Sequence, residues 1–130
     1  MTDASNITFS GADSYLRAAM SGLAARQRAI ANNVANVDTP GFKASEVRFE
    51  DALKNAISRA KPGTTVDQTT LNATMSRGTI VDSTITRADG NNVDIDREME
   101  MLSEANLNYS ALTQVMSTRI STLRNVITGR

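Results

Sequence analysis

The fold is decided by residues 94–127, DIDREMEMLSEANLNYSALTQVMSTRISTLRNVI. Apolar residues recur there alternately four and three positions apart, which is the spacing of a heptad repeat on one face of a helix. One seven-residue series consists of Ile95, Leu102, Tyr109, Met116 and Leu123, and the interleaved series of Met99, Asn106, Thr113, Ile120 and Ile127. Because the pattern lasts for four to five heptads, it predicts a coiled-coil helix rather than an ordinary amphipathic one.

The length of this pattern and its polar positions both point to partners. Asn106 and Thr113 lie in the interleaved series, where polar residues lower the stability of a coiled coil but fix its register or number of helices. At a rise of about 1.5 Å per residue the helix would be roughly 50 Å long, more than the width of a compact domain of this size. We therefore expect it to project from the domain or to lie along other helices.

A second heptad pattern occupies residues 10–37, after a polar lead-in of residues 1–9 that we expect to be flexible. Its positions are Leu16, Met20, Leu23, Gln27, Ile30, Val34 and Val37. Beside it runs a row of small residues at helical spacing: Ala18, Gly22, Ala25 and Ala29. Glycine inside a helix costs about 1 kcal/mol relative to alanine, so Gly22 requires compensation, which the close approach of another helix would supply. Alternatively, the small residues simply lie on a solvated face.

The first helix ends at the sequence Asn-Val-Asp-Thr-Pro-Gly-Phe-Lys, residues 36–43. Pro40 disfavours a helical conformation at Thr39, and Pro-Gly suits the centre of a type II turn because glycine tolerates the positive φ required there. Asn32, Asn33 and Asn36 compete for backbone hydrogen bonds and are expected to loosen the last helical turns. The candidate turn motif comprises Asn36, Asp38, Thr39, Pro40, Gly41 and Phe42.

Between the long helices, residues 38–93 are predicted to contain this turn, a short helix and a largely irregular segment. Phe49, Leu53 and Ile57 are four residues apart, which indicates an amphipathic helix over 46–60 whose apolar stripe packs on the long helices. The region 63–83 shows no periodicity, and we expect a mobile loop with a short strand near 79–86. The predicted fold is all-α and elongated, with N- and C-terminal heptad helices, the second over 94–130, forming an α-helical coiled-coil hairpin.

The composition argues against several classes of function. The 14 basic and 14 acidic residues cancel, which disfavours nucleic acid as a partner because that binding needs a clustered positive field. Without cysteine or histidine, the chain lacks thiol nucleophiles, thiolate or imidazole metal ligands and the usual proton shuttle. We find no cleavable signal sequence and no apolar stretch that could span a bilayer. We predict neither a cofactor nor enzymatic activity.

An acidic stretch before the last helix invites a calcium interpretation. Asn92, Asp94 and Asp96 alternate as ligands of a calcium loop do, but such a loop needs glycine at its sixth position. Counting from Asn92 or from Asp89 places no glycine there, so we predict no metal site. Asp94 or Asp96 is instead expected to cap the last helix, with Gly129 as its C-terminal cap.

Three stretches of this chain resemble two known signatures. Residues 31–43, ANNVANVDTPGFK, resemble the N-terminal signature of the bacterial flagellar rod and hook proteins, in which a helix rich in alanine and asparagine runs into a Thr-Pro-Gly-aromatic-Lys turn. Residues 89–99, DGNNVDIDREM, and 109–113, YSALT, resemble their C-terminal signature. The Asp-Thr-Pro-Gly version is similar to that of the FlgB family, the proximal rod proteins. One departure is Ala-Asn-Leu-Asn-Tyr at 105–109, where relatives usually have Asn-x-Leu-Arg-Tyr.

This resemblance implies a structural subunit of the proximal rod, polymerising through its terminal helices into the axial drive shaft that transmits torque from the motor ring to the hook. It implies homo- and hetero-oligomeric contacts with other flagellar proximal rod proteins, the rod–MS-ring junction protein and the flagellar export gate. It also implies a periplasmic location in the basal body and export without a cleaved signal peptide. The predicted assembly interface comprises Leu16, Met20, Gly22, Leu23, Ile30, Val34, Val37, Ile95, Met99, Leu102, Tyr109, Met116, Ile120, Leu123 and Ile127.

Two alternative functions remain open at this point. The chain could be another helical secretion-system or adaptor subunit, which would use heptad faces of the same kind. It could also be a small carboxylate hydrolase acting on the cell wall, for which Glu98, Glu100 and Glu104 form the only acidic cluster. A defect confined to basal-body assembly would favour a rod subunit over both.

Overall fold

The computed structural model describes residues 11–59, 69, 79–80 and 86–129. In chain order they contain helix α1 (Gly11–Ala35), strand β1 (Ser45–Glu46), helix α2 (Phe49–Arg59), strand β2 (Thr79–Ile80) and helix α3 (Ile95–Thr128). The predicted lead-in and most of the predicted irregular segment lie outside the described residues. The predicted elongated, mainly helical fold with two long terminal helices is confirmed.

The two long helices pack side by side and run antiparallel. Three polar contacts join them along their length: Asp13 Oδ1 to Arg119 Nε at 2.8 Å, Gln27 Nε2 to Asn106 Oδ1 at 2.8 Å, and Asn33 Nδ2 to Glu98 Oε1 at 3.1 Å. Each step along α1 is therefore matched by a backward step along α3, which confirms the predicted hairpin. We call residues 33–47 together with 86–98 the closed end of the hairpin, and residues 120–129 its open end.

The short helix α2 packs on α1 and completes a small core. The buried residues of this core are Ala18, Leu23, Val47, Phe49 and Ala105, with Leu53 and Ala56 of α2 and Tyr109 and Leu112 of α3 packed against them. The apolar stripe of α2 thus packs on α1, one of the two long helices that the prediction named, although Ile57 at its far end is exposed. Each of these elements contributes only a few buried side chains, so the core is small.

Strand β1 precedes α2, and its pairing with β2 explains where that helix begins. β1 and β2 pair antiparallel, with Ser45 opposite Ile80 and Glu46 opposite Thr79. The strand expected near 79–86 is therefore present at 79–80. Because Ser45 and Glu46 are extended in this strand pair, α2 begins at Phe49 and not at Glu46, where the sequence placed its start.

The caps of α3 follow the sequence prediction. Asp94 is the N-cap, and its side chain accepts hydrogen bonds from the backbone N–H groups of Asp96 and Arg97. Gly129 is the C-cap and adopts a left-handed conformation with φ of 66°. Across the described residues, no helix combines the length and the apolar character that a membrane crossing requires.

Candidate functional site

The two sequence signatures meet at the closed end, where Asn91 joins them. Asn91 is completely buried, and its Nδ2 donates to the backbone carbonyls of Asn36 (2.9 Å), Val37 (3.0 Å) and Thr39 (2.9 Å). Its Oδ1 accepts a hydrogen bond of 2.7 Å from the Val93 N–H. Carbonyls at the C-terminal end of a helix have no partner within the helix. One amide group therefore fastens the start of α3 to the end of α1.

A second buried amide, that of Asn33, joins three elements. Its side chain is 1% exposed and exchanges two hydrogen bonds of 2.9 Å with the backbone of Ser45 in β1. The same Nδ2 donates to Glu98 Oε1 in α3 over 3.1 Å. The prediction that Asn33 loosens the last turns of α1 was wrong, because its amide bonds to other elements. Asn36 does bond back within the helix, to the Asn32 carbonyl at 2.8 Å.

The turn motif forms the tip of the closed end. The Phe42 N–H donates to the Thr39 carbonyl over 3.2 Å, and Gly41 has φ of 73°, which are the bond and the positive φ of the predicted type II turn. The Gly41 N–H also donates to the Asp89 carbonyl at 2.8 Å. Of the remaining motif residues, Asn36 accepts a bond from the Thr39 hydroxyl, whereas Asp38 and Pro40 are exposed.

A groove of about 590 Å³ lies at the closed end, between the start of α3 and the segment 44–46. Its apolar lining includes Val37, Ile95 and Met101, and its charged lining consists of Glu46, Asp94, Asp96, Glu98, Arg87 and Arg97. Glu98 is 4% exposed, and within the described part of the chain its buried Oε2 has no hydrogen-bond partner. Burial raises the pKa of the Glu98 carboxyl, an effect that the Asn33 hydrogen bond and the charge of Arg97 oppose.

The predicted interface residues of α1 mostly face the interior of the hairpin. Gly22, Leu23 and Ile30 are buried, and Leu16, Met20, Val34 and Val37 are partly buried. This side of α1 is already occupied by α2 and α3 of the same chain. Contacts within the protomer therefore account for much of the N-terminal heptad pattern.

Gly22 illustrates this internal role. A Cβ atom at this position would lie 2.3 Å from Cγ of Phe49, far inside van der Waals contact. The neighbour that requires glycine is thus the first residue of α2 in the same chain, which supplies the close approach of another helix that the sequence indicated. The alternative of a solvated small-residue face is wrong, because Ala18 is buried and Ala25 and Ala29 pack against the core.

The two heptad series of α3 differ in their exposure. Leu102, Tyr109 and Met116 of the first series are partly buried. The apolar members of the interleaved series, Met99, Ile120 and Ile127, are exposed, as are Ile95 and Leu123 at the ends of the first. At the open end Val126 is 75% and Ile127 72% exposed, and Leu107 in the middle of the helix is also 72% exposed. The described residues thus leave an apolar stripe along α3 uncovered.

Hydroxyl groups on α3 bond within the helix. Ser103, Thr113, Thr118, Thr122 and Thr128 each donate to the carbonyl four residues earlier, at 2.8–3.0 Å. Within the described ranges, no three acidic, histidine or cysteine residues come together as a metal site would require. The acidic cluster of the sequence divides, because Glu98 is buried whereas Glu100 and Glu104 are exposed.

Sequence reasoning missed several residues that organise this region. Asn33, Asn91 and Glu98 were noted only as parts of longer patterns, because their partners are 12 to 65 positions away in the chain. Arg26 was also missed: its guanidinium lies 4.9 Å from the Phe49 ring centre and forms an ion pair of 2.6 Å with Glu50. A buried-amide role has no local signature, so only the Asn-rich composition of the two stretches hinted at it.

Comparisons with known proteins identify the family. Residues 16–43 match the model of the family described as flagella basal body rod protein. The chain is 38% identical to the flagellar basal body rod protein FlgB of Bacillus subtilis over 124 residues, covering 93% of this chain and 96% of that protein. It is 38% identical to FlgB of Borrelia hermsii over 81% of this chain and 87% of that protein, and 30% identical to FlgB of Escherichia coli over 80% and 83%. The chain therefore belongs to the FlgB family of flagellar basal body rod proteins.

Proposed function

We propose that this chain is a structural subunit of the proximal rod in the bacterial flagellar basal body and has no catalytic role. Its relatives are named as rod proteins, and the match extends over nearly the whole length of the Bacillus subtilis protein. The chain would polymerise with other proximal rod proteins and with the rod–MS-ring junction protein. As part of the axial drive shaft it would transmit torque from the motor ring to the hook.

The observation that carries this proposal is the uncovered stripe of α3. A coiled-coil seam buries both of its heptad series between helices. Here Leu102, Tyr109 and Met116 of the first series are partly buried, whereas Met99, Ile120 and Ile127 of the second are exposed. Aliphatic groups gain roughly 25 cal/mol for each Å² removed from water, so covering this stripe with helices of neighbouring subunits would stabilise an assembly.

The described part of α1 does not reach the open end of α3. Asp13 pairs with Arg119 and α1 begins two residues earlier, at Gly11, so residues 122–128 extend past the described part of α1 by roughly 10 Å at the usual helical rise. An apolar projection that fits a different surface of the next subunit makes a heterologous contact. Such contacts build open helical polymers when they do not close into a ring.

Export and location follow from the same proposal. The subunit would pass the flagellar export gate without a cleaved signal peptide and would assemble in the periplasmic part of the basal body. A narrow core with much of α3 exposed is compatible with passage of an unfolded chain, because little buried apolar surface has to be exposed first.

The alternative of a wall hydrolase has little support. A pair of catalytic carboxylates has to flank one bond of the substrate. Glu98 is buried and bonded to Asn33, whereas Glu100 and Glu104 are exposed on the helix surface. An adaptor or secretion-system subunit would use the same stripe, and the place of assembly distinguishes it from a rod subunit.

The test replaces exposed apolar residues of the open end and measures assembly. Val126→Asp and Ile127→Asp should leave the helicity of the purified chain unchanged and should abolish motility and recovery of rods in isolated basal bodies. Asn125→Asp is the matched control, because it adds the same charge near the same helix end at an exposed position two residues from Ile127, on another face of the helix. Wild-type motility of both apolar variants would refute assembly through α3. Normal basal bodies in a strain lacking the chain would refute the rod function itself.

A further inference from the structure

The groove at the closed end contains a buried carboxylate whose hydrogen bonding is incomplete. Glu98 Oε1 accepts from Asn33, but Oε2 has no partner among the described residues, although a carboxylate can accept several bonds. A buried carboxylate that lacks a partner carries a desolvation cost, and in proteins such a group is normally paired with a cation or a hydrogen-bond donor. The described residues of the protomer therefore leave this carboxylate oxygen without a partner.

The charges around the groove favour a cation as the missing partner. Four carboxylates line it, from Glu46, Asp94, Asp96 and Glu98, against two guanidinium groups. Both guanidinium groups are already engaged: Arg97 lies 3.8 Å from Glu46, and Arg87 pairs with Asp89 and donates to the Val37 carbonyl. The positive end of the α3 dipole offsets part of this negative charge, but only part, because it amounts to about half of an elementary charge.

The apolar residues that line the groove favour a cation that carries an aliphatic group. Val37, Ile95 and Met101 border the groove, and Ile95 is exposed. A small hydrated ion would gain nothing from these side chains. Arginine and lysine have aliphatic stems that pack on apolar surface while the charged head reaches a carboxylate. The guanidinium fork of arginine would also supply donors for both oxygens of Glu98.

We propose that this groove is the socket for an arginine or lysine carried between aliphatic residues on a helical segment of a neighbouring rod subunit. The proposal rests on the proposed rod function and adds the chemistry of one contact. Segments of this kind exist on such subunits: the open end of this chain places Arg124 between Leu123 and Ile127, all exposed. The socket lies at the end of the hairpin opposite to that segment, so subunits that meet end to end would bring groups of opposite charge together.

The first experiment separates the charge of Glu98 from its structural bond. Glu98→Gln retains an oxygen that can accept from Asn33 but removes the negative charge. Glu100→Gln removes an exposed charge two positions away and is the matched control. With the complete chain in cells, Glu98→Gln should reduce recovery of the subunit in isolated basal bodies at least about tenfold, as expected for loss of a buried charge pair. Glu100→Gln should match wild type, and both purified variants should retain wild-type helicity.

A photo-crosslinking amino acid at Asp96, on the exposed rim of the groove, then identifies the occupant. The proposal expects a crosslink to a rod-subunit peptide that contains arginine or lysine, lost with Glu98→Gln and retained with Glu100→Gln. Replacing that basic residue with glutamine should reproduce the Glu98→Gln defect. A crosslink to residues 60–85 of the same chain, to a peptide without a basic residue, or to nothing would overturn the socket. Normal incorporation of Glu98→Gln beside a blocked Ile127→Asp would refute the socket while leaving the rod function intact.

Discussion

The closed and open ends of the hairpin use opposite chemistry. At the closed end, Asn33 and Asn91 are the largest fully buried side chains, and their amides bond to backbone groups of other segments. At the open end, Leu123, Val126 and Ile127 are apolar and exposed. A conventional small domain shows the reverse at both places, with apolar groups inside and polar groups outside.

This difference shows that the polar contacts that define the hairpin lie apart from the exposed apolar residues through which the chain is proposed to assemble. Directional hydrogen bonds at the closed end permit only one arrangement of α1, β1 and α3, because a displaced segment would leave several buried polar groups unpaired. Apolar contact is non-directional, and in the proposed rod the apolar side chains of the open end would be covered by other subunits. The protomer therefore has a defined hairpin without first covering its apolar stripe.

The largest expected change in the free energy of unfolding comes from disrupting the closed end. Asn91→Asp replaces the donating amide with an acceptor that faces three backbone carbonyls, so it should lower the free energy of unfolding by more than about 3 kcal/mol. Urea denaturation followed by circular dichroism measures this loss. Asn108→Asp, at an exposed position of α3, is the control and should have little effect. Equal stability of the two variants would show that Asn91 does not hold the closed end.

The next effect concerns the middle of the hairpin, where Gly22 meets α2. Gly22→Leu should destabilise the protomer by about 2 kcal/mol, because overpacking against the Phe49 ring outweighs the gain in helix propensity. In a Phe49→Ala background the same substitution should stabilise the protein, since the added side chain fills the vacated space. Ala31→Leu, on an exposed part of α1, controls for propensity. Additive effects of the two core substitutions would mean that these residues do not touch.

A smaller effect depends on pH and concerns Glu98. Burial raises its pKa above the ordinary value of 4.5, so the folded chain holds this proton more tightly than the unfolded chain does. The resulting stabilisation is present below pH 4.5 and is lost as the pH rises through the folded-state pKa. The unfolding free energy of wild type relative to Glu98→Gln should therefore fall from pH 4.5 upward. Parallel pH profiles of the two proteins would contradict this.

The smallest effect is expected at the open end. Ile127→Asp should change the free energy of unfolding of the isolated chain by no more than about 0.5 kcal/mol, because the side chain is 72% exposed. The same urea titration that reveals the Asn91→Asp loss measures it. A loss of 2 kcal/mol or more would mean that the open end is buried within the protomer, and the contrast between the two ends would disappear.

Features with a local physical cause could be predicted from the sequence. The heptad spacing located both long helices, Asp94 and Gly129 were recognised as candidate caps, and the Pro-Gly pair predicted the turn at Gly41. Each depends on residues within a few positions of one another. The family signatures were recognised for the same reason, since each is a short continuous stretch.

The features that could not be predicted depend on partners far apart in the chain. From the sequence alone, Asn33 could not be distinguished from an asparagine that loosens a helix, because its partners Ser45 and Glu98 are distant in the chain. Glu98 resembled an ordinary first-turn acid, because nothing in the sequence indicates that β1 and α1 bury it. The heptad pattern likewise predicted which residues of α3 are apolar. It did not predict that the interleaved series would be exposed while Ala105 and Leu112, which belong to neither series, pack in the core.

The hydroxyl groups of α3 that bond within the helix lower the free-energy cost of removing water from its surface when another helix covers it. When a neighbouring helix covers a polar side chain, each donor that loses water without a new partner opposes association. Ser103 and the four threonines already give their protons to carbonyls of their own helix. A surface of this kind can dehydrate without first finding matching acceptors on its neighbour. The same stripe can therefore fit against several different helices, which suits a subunit whose neighbours along a shaft are not all identical.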